Sequence, residues 1–422
     1  MSVDTLPQHP GSTTRPEGLG RRQVHAVAAC YFVASFAALG LPPYLTAILP
    51  ALGDPQGRWA GVLYIVPTVF SALGAPLWGR LADRFGRKRL LLRAQLGLTV
   101  SFLLAGAADS LPAFTLALVL QGFLGGTFAA TNGYLAAALD GSKLSLALTL
   151  MQGSARAALV AAPILVGALS PWIDPHRQYL LMAVLPLTAA LFLSLLPEPD
   201  PAARGGGGPA TDTSTATGSG PGSDRAPGAA AARPAPIGLL YTFEFVFVFA
   251  TVISFPYLIS LAQERLPGVS GTTTGILFAL PHLCYLAFAA RTHTAFLARP
   301  HAGIALGFGF VALGLAGHAA AHSLVAFVAV RLLLGAGLTL GLVCLSVLAA
   351  EAARGRAPGR MFGTLEFVSK GGAVAAGAVA ALANGRFGAA APVLVGTAAA
   401  LLAATAAATL VFPTRIRWSS RR

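Results

Sequence analysis

Charged side chains are scarce in this chain of 422 residues, and acidic side chains are the scarcest of them. Asp, Glu, Lys and Arg together make up 10% of the residues, against about 25% in soluble globular domains. Hydrophobic residues make up 55%, and the mean hydropathy is +0.70. This composition excludes an ordinary soluble domain and indicates a membrane protein.

Cysteines and catalytic motifs are also rare or missing. The three cysteines, Cys30, Cys284 and Cys344, each lie in an apolar segment, which excludes a disulfide framework and a Cys/His metal site. The sequence has no Gly-x-x-x-x-Gly-Lys-Ser/Thr phosphate loop, no Gly-x-Ser-x-Gly elbow and no His-Glu-x-x-His motif. We therefore expect no enzymatic activity, no bound metal and no cofactor.

The net charge of +14 does not indicate a nucleic-acid partner. Most of the 29 Lys and Arg residues lie in the connections between apolar segments, without interleaved aromatic residues. A nucleic-acid-binding protein would carry them as a patch or stripe on one surface.

Twelve apolar segments are long enough to be read as membrane-spanning helices. We place them at 24–48, 59–79, 89–108, 112–138, 144–170, 178–197, 237–262, 269–290, 301–320, 322–350, 361–384 and 389–412. The fold class that this predicts is an all-α membrane protein.

The segments divide the chain into two halves of six helices each. These halves are 24–198 and 237–412, with a polar tail at 1–23 that lacks a cleavable signal, and a basic tail at 413–422. Residues 199–236 are rich in Pro, Gly, Ala, Ser and Thr, which favours a flexible linker. A plain tether is the simpler interpretation of this linker, and a regulatory segment is the alternative.

The distribution of positive charge predicts the orientation. If both termini lie on one side, the opposite side holds only Arg58, Arg177, Arg265 and Arg386. Positively charged loops stay in the cytoplasm. We therefore expect a multi-pass protein of the inner or plasma membrane with both termini in the cytoplasm.

The two halves repeat one another weakly. Pro43-Tyr44-Leu45 recurs as Pro256-Tyr257-Leu258, and Gly61-Val-Leu-Tyr-Ile-Val-Pro67 recurs as Gly275-Ile-Leu-Phe-Ala-Leu-Pro281, at offsets of 213 and 214 residues. A nearly constant offset is typical of internal duplication. The halves are therefore predicted to be pseudo-symmetric.

The segment Gly79-Arg-Leu-Ala-Asp83-Arg84-Phe-Gly86-Arg87-Lys88-Arg89 resembles the signature between helices 2 and 3 of the major facilitator superfamily. The resemblance implies the twelve-helix fold of that superfamily, transport by alternating access, and a gating role for the signature. Its gating residues would be Gly79, Asp83, Arg84, Gly86, Arg87 and Lys88. The alternative is that this cluster sets only the topology.

Other segments depart from the superfamily's proton antiporters. The helix 5 motif Gly-Pro-x-x-Gly-Gly is reduced to Ala162-Pro163-Ile-Leu-Val-Gly167, and the arginine expected in helix 4 appears instead in the second half, as Arg331. Three segments are similar to exporters encoded beside siderophore-synthesis enzymes: 60–68, 90–97, and 120–130 together with 152–156.

Charged residues inside the predicted spans are the candidate functional residues, because they are costly in a bilayer. Glu366 and Lys370 lie four residues apart on one helix face, and Gln152 and Arg156 occupy the matching positions in the first half. These two faces would oppose each other across a central cavity whose cations, Arg156 and Lys370, suit an anionic or oxygen-rich substrate. The alternative is an internal ion pair that only holds helices together.

Three further residues complete the set of candidates. Glu244 is the more isolated carboxylate and the leading candidate for carrying protons, with Glu366 second; a structural bond to Tyr241 or the backbone is its alternative. His282 and Arg331 are further candidates for substrate binding, and a satisfied interior histidine is the simpler interpretation of His282.

The sequence thus predicts a secondary exporter, coupled to protons, that moves a siderophore-like polar or anionic metabolite out of the cytoplasm. One alternative is broad drug efflux, favoured by the aromatic stretch Phe243 to Phe249. Another is a membrane sensor or assembly partner without transport activity. The expected partners are a small-molecule substrate, protons and the lipid bilayer, and the expected oligomeric state is a monomer.

Overall fold

The computed structural model describes residues 20–125, 131, 134, 135, 139, 141–195, 237–353 and 358–411. The predicted linker 199–236 and basic tail 413–422 lie outside the described residues, as does all but the end of the tail 1–23. Within the described part, the chain is helical almost throughout and contains no strand.

The main helices of the described part follow the predicted spans. They are α1 (Arg21–Gly40), α2 (Ala60–Phe85), α3 (Arg87–Ala107), α4 (Leu111–Leu124), α5 (Gly141–Leu169), α6 (Gln178–Ser194), α7 (Ile237–Val252), α8 (Gly271–Phe296), α9 (Pro300–Ala320), α10 (Leu324–Ala353), α11 (Pro358–Phe387) and α12 (Ala391–Val411).

Eight of the described apolar segments are long enough to cross a membrane. Four shorter ones, at 60–74, 111–124, 178–194 and 237–252, occupy the places of predicted spans 2, 4, 6 and 7. The predicted all-α membrane fold with twelve helices in two halves is confirmed.

Prolines break the first helix of each half, so two predicted spans were too long as single helices. The span predicted at 24–48 ends as an α-helix at Gly40, and the 3₁₀ turn Pro42–Tyr44 leads into the short helix Leu45–Ile48. The span predicted at 237–262 ends at Val252, and the chain resumes as the helix Leu258–Arg265 after Pro256. Proline has no amide hydrogen and clashes with the preceding turn, which accounts for both breaks.

The signature segment is more helical than the sequence analysis expected. The structure continues α2 through Phe85 and begins α3 at Arg87, so Gly86 alone forms the turn between them. Gly86 has φ +93°, a left-handed conformation that residues with a Cβ rarely adopt. The connection between the two helices is therefore one residue long, shorter than the gap between the predicted spans 59–79 and 89–108.

The two halves meet through two pairs of helices. Helix α5 packs on α8, and α2 packs on α11. One hydrophobic cluster joins the halves, with Tyr44 and Ala158 from the first and Ile253, Tyr257 and Ala376 from the second. This cluster lies at the end of the molecule where α1 and α7 finish and α2 and α8 begin, which we call the closed end.

Candidate functional site

Glycines allow the two halves to touch backbone to backbone near the closed end. A Cβ on Gly61 of α2 would lie 2.6 Å from the carbonyl oxygen of Gly377 on α11. A Cβ on Gly275 of α8 would overlap the carbonyl oxygen of Pro163 on α5. Only glycine fits at such approaches, so the backbones of the two halves come into direct contact near the closed end.

Further along the same helices, the facing side chains are exposed. Gln152 on α5 and both Glu366 and Phe367 on α11 are accessible, the last at 74%. We call this second end, which also carries the α2–α3 turn, the open end. Among the described residues, the backbone contacts between the halves thus lie toward the closed end, and we interpret the other end as the open one.

A cavity of about 370 Å³ lies between the halves. Its walls are mostly apolar, with Tyr64 of α2 and Phe278 of α8 among the aromatic contributors and Phe255 from the break after α7. The ionisable side chains that line it include Arg156 and Lys370. A volume of this size, apolar with a few polar groups, is typical of a small-molecule site.

Arg156 is the cation that links the two halves. It lies on α5, and its guanidinium nitrogen is 3.5 Å from Nδ1 of His282 on α8. The guanidinium carbon also lies 5.5 Å from the centre of the Tyr285 ring, within the range of a cation–π contact. Arg156 can therefore respond to movement of one half against the other.

Lys370 and Glu366 form the predicted pair on α11. The ammonium nitrogen and the carboxylate oxygen are 3.5 Å apart, and the Glu366 side chain is 68% exposed. An exposed pair of this kind contributes little to stability. Lys370 therefore remains available to a molecule in the cavity, whereas Gln152 and Glu366 are not among the residues that line it.

Glu244 is less isolated than the sequence analysis expected. It lies on α7, the hydroxyl of Ser369 on α11 hydrogen-bonds its carboxylate, and Arg156 and Glu366 lie within electrostatic range. The proton-carrying candidate and the substrate-binding candidate are thus neighbours across the two halves. Sequence spacing alone could not bring α5, α7 and α11 together.

His282 and Arg331 lie behind the cavity wall rather than on it. His282 is 1% exposed and packs against the rings of Phe255 and Phe278. Arg331 is fully buried and donates hydrogen bonds to the carbonyl oxygens of Leu277 at 2.6 Å and Phe278 at 2.7 Å.

The position of Pro281 explains the bond to Leu277 in the α8 backbone. Leu277 lies four residues before Pro281, which has no amide hydrogen to donate to the Leu277 carbonyl. Arg331 supplies the missing donor from α10. Its observed contacts are therefore structural, and they hold the proline-containing turn of α8.

The structure describes the side-chain contacts of part of the signature segment 79–89. Lys88 donates a hydrogen bond to the carbonyl oxygen of Ser194 at the end of α6, at 2.8 Å, and the Arg84 guanidinium lies 5.3 Å from the centre of the Phe85 ring. The side chains of Asp83 and Arg87, and the surroundings of Gly79, lie outside the described residues. The gating role of these residues stays a prediction.

Several residues of the site were not among the candidates predicted from the sequence. Tyr64, Gln121, Phe255 and Ser369 line the cavity. Two of them carry a signal in the sequence. Tyr64 lies inside the repeated segment that begins at Gly61, and Ser369 is next to the candidate Lys370. Within the described part of the chain, no three His, Cys, Asp or Glu side chains come together as metal ligands would.

Comparison with known proteins places the chain in a large transporter family. The family model described as Major Facilitator Superfamily matches residues 27–291. Among curated relatives, the Multidrug resistance protein MdtG of Dickeya zeae (strain Ech586) is 32% identical over 176 residues, which cover 40% of this chain and 43% of the relative. The MdtG of Citrobacter koseri (strain ATCC BAA-895 / CDC 4225-83 / SGSC4696) is 35% identical over 156 residues, covering 36% and 37%. The matching part thus spans less than half the length of these relatives.

Solved structures share the fold over almost the whole chain. A POT family transporter in complex with 5-aminolevulinic acid gives a TM-score of 0.71 at 12% identity, covering 94% of this chain and 98% of that one. A D-xylose-proton symporter gives 0.67 at 11%, covering 91% and 96%. The human organic anion transporter MFSD10 (TETRAN) gives 0.64 at 20%, covering 93% and 99%. The match of the family model to more than half of the residues, over helices that build the predicted two-half fold, shows that the chain is a multi-pass membrane protein of the Major Facilitator Superfamily.

Proposed function

We propose that this chain is a secondary efflux transporter for amphipathic organic compounds that carry hydrogen-bond-accepting oxygens. The observation that supports it most is the cavity of about 370 Å³ between the halves, with an apolar wall and two cations, Arg156 and Lys370. An apolar wall stabilises the hydrocarbon part of a ligand by burial, and the cations can bind its oxygens.

The sequence patterns favour a siderophore-like substrate, whereas the cavity and the relatives support drug efflux. The relatives that match are named multidrug resistance proteins. A polar chelator would leave Tyr64, Phe255 and Phe278 without an apolar surface to contact, and its own polar groups would exceed the partners available. We therefore propose broad efflux first and retain the siderophore-like substrate as the second candidate.

The transport cycle that we propose alternates the open and closed ends. The two halves would rock about the cavity, and Glu244 would bind and release the coupling proton beside Arg156. By the distribution of positive charge, the open end with the α2–α3 turn faces the cytoplasm. A single chain embedded in the cell membrane would be the working unit, with the substrate and protons as its partners.

Transport in proteoliposomes tests the proposal. The purified full chain would be assayed with an imposed pH gradient against three probes of similar size: an amphipathic carboxylate, a neutral analogue of it, and a polar tris-hydroxamate chelator. We expect transport of the amphipathic probes at a rate at least ten-fold above that of the chelator. The reverse order would support the siderophore-like substrate, and no gradient-driven movement of any probe would favour a protein without transport activity.

A further inference from the structure

Two tyrosines occupy equivalent positions in the two halves, at the closed end. Tyr44 and Tyr257 lie 213 residues apart, each directly after a proline and just beyond the first helix of its half. Both are 2% exposed and belong to the cluster that joins the halves. Each places its hydroxyl at the first turn of the second helix of the opposite half.

The Tyr257 hydroxyl makes two bonds to the first half. It accepts a hydrogen bond from the backbone N–H of Gly61 at 3.1 Å and donates one to the carbonyl oxygen of Arg58 at 3.3 Å. Both partner groups in the first half belong to the backbone at the start of α2. This tyrosine therefore connects α7 to α2 across the boundary between the halves.

The Tyr44 hydroxyl makes the corresponding contact with the second half. It lies 3.4 Å from the carbonyl oxygen of Gly271 at the start of α8, and it donates a shorter bond of 2.6 Å to the carbonyl oxygen of Pro163 on α5. Gly271 and Arg58, the two carbonyl partners in the opposite halves, are also 213 residues apart. The two contacts are thus related by the same pseudo-symmetry as the halves.

We infer that Tyr44 and Tyr257 are a pair of positioning residues that hold the closed end shut in one state of the transport cycle. This inference rests on the proposed alternating access. When the halves separate at this end, the starts of α2 and α8 move away from the opposite halves and the hydroxyl bonds must break. The pair therefore biases the protein toward the state that is open at the other end.

The two bonds are unequal, which predicts unequal effects. Tyr257 binds two backbone groups of the opposite half, at 3.1 and 3.3 Å. Tyr44 donates to its own half at 2.6 Å, and in the opposite half it lies 3.4 Å from the Gly271 carbonyl oxygen and also contacts the Thr274 hydroxyl. A hydrogen bond weakens with distance. Removal of the Tyr257 hydroxyl therefore favours opening of the closed end more than removal of the Tyr44 hydroxyl.

Spin labels on either side of the closed end measure this bias without any substrate. Trp172 follows α5 in the first half and Phe387 ends α11 in the second, and both are 78% exposed. A background without the native cysteines would carry Trp172→Cys and Phe387→Cys, and distances between the labels would be measured in nanodiscs. Tyr44→Phe, Tyr257→Phe and the double variant remove the hydroxyls and keep the rings.

The expected result is a longer-distance population that grows by roughly five-fold for Tyr257→Phe, by less for Tyr44→Phe and by the most for the double variant. Tyr179→Phe is the matched control, since Tyr179 is equally buried but packs on Phe102 and Phe114 of its own half. Unchanged distances in the double variant would overturn the inference.

Transport assays on the same variants separate this inference from the proposed function. If the label distances increase in the tyrosine variants but the protein transports none of the probes, the inference about the tyrosine pair is supported and the proposed function is wrong. If the label distances do not change but the protein transports the probes, the proposed function is supported and only the inference about the tyrosine pair is wrong.

Discussion

The ionisable residues inside the membrane-spanning helices are each stabilised by specific partners. Arg156, Glu244 and Arg331 all lie within helices, yet each has neighbours that reduce the cost of its burial. Ionisable groups in a bilayer are costly without such partners. The partners differ, however, and they divide the candidate residues into those near the cavity and those that support a helix.

Arg156→Ala tests the contact with the cavity. We expect transport of an amphipathic carboxylate to fall at least ten-fold, because the side chain that bridges the halves and lines the cavity is lost. Arg156→Lys is the matched control: it keeps the charge but loses the planar donors, so we expect a smaller reduction. Initial rates in proteoliposomes check this, and equal rates for both variants and the parent would exclude Arg156 as a binding residue.

Glu244→Gln tests the coupling proton. In an antiporter the substrate and the proton oppose each other's binding, so the apparent affinity for substrate should weaken as the pH falls. Glutamine cannot titrate, and we therefore expect the variant to show a flat pH dependence and no response to a pH gradient, with exchange between substrate pools retained. Glu366→Gln, on the exposed carboxylate of α11, is the comparison. A pH dependence that survives in Glu244→Gln and disappears in Glu366→Gln would reverse the assignment.

Arg331→Met tests the support of the proline in α8. The change leaves the carbonyl oxygen of Leu277 buried without a donor, at about 1–3 kcal/mol, and it also removes the bond to the carbonyl oxygen of Phe278. We expect thermal unfolding in detergent at a lower temperature. Pro281→Ala in the same chain restores an N–H for Leu277 and should recover part of the loss, because the backbone then closes its own hydrogen bond. Failure of that rescue would mean that Arg331 stabilises the protein in another way.

At the scale of elements, breaks in the helices and close contacts between them determine how the two halves pack around the cavity. The first helix of each half is interrupted beside a proline, and α5 and α8 contain Pro163 and Pro281 within their length. Glycines then allow α2 and α11, and α5 and α8, to touch through their backbones. Such contacts cannot accept extra volume without a shift of one helix.

Gly61→Ala tests the contact between α2 and α11. The added methyl group would lie 2.6 Å from the Gly377 carbonyl oxygen and 2.9 Å from the Ala381 nitrogen, both of which belong to the backbone. We expect the closed end to separate, seen as longer distances between labels at Trp172 and Phe387. Gly385→Ala on α11 is the matched control, since a Cβ there meets nothing within 4 Å. Equal distances in both variants would show that the contact tolerates a methyl group.

At the scale of the whole molecule, the asymmetry of charge supports the orientation in the membrane that we propose. Most of the 29 Lys and Arg residues, including Arg84, Lys88 and Arg89 of the α2–α3 turn, are predicted on the side of the open end, whereas only Arg58, Arg177, Arg265 and Arg386 are predicted on the side of the closed end. The positive-inside rule then assigns the open end to the cytoplasm. An exporter that is open in this way is ready to receive its substrate.

Labelling of single cysteines in intact cells tests this orientation. Trp172→Cys at the closed end should react with a membrane-impermeant maleimide in intact cells, and Phe85→Cys at the α2–α3 turn should react only after permeabilisation. Both side chains are exposed, at 78% and 52%, so access to the reagent differs only by the side of the membrane. The opposite pattern would place the termini outside and contradict the proposed orientation.

The sequence by itself determined the class of this protein, the approximate places of its twelve helices and the residues worth examining. An apolar segment of about twenty residues has few alternatives to a helix in lipid, since every backbone group must be satisfied internally. The signature around Asp83 and the charges within the spans can be recognised in the sequence because they interrupt an apolar background.

Only the tertiary structure decided which of these residues meet. Helices rich in Gly, Ala and Leu are apolar on every face, so their sequence does not reveal which face contacts which neighbour. The proximity of Glu244 to Arg156, the bonds of Arg331 to α8, and the reach of Tyr44 and Tyr257 into opposite halves all depend on helix packing. That packing is decided by side-chain shape and close backbone contacts between segments far apart in the chain.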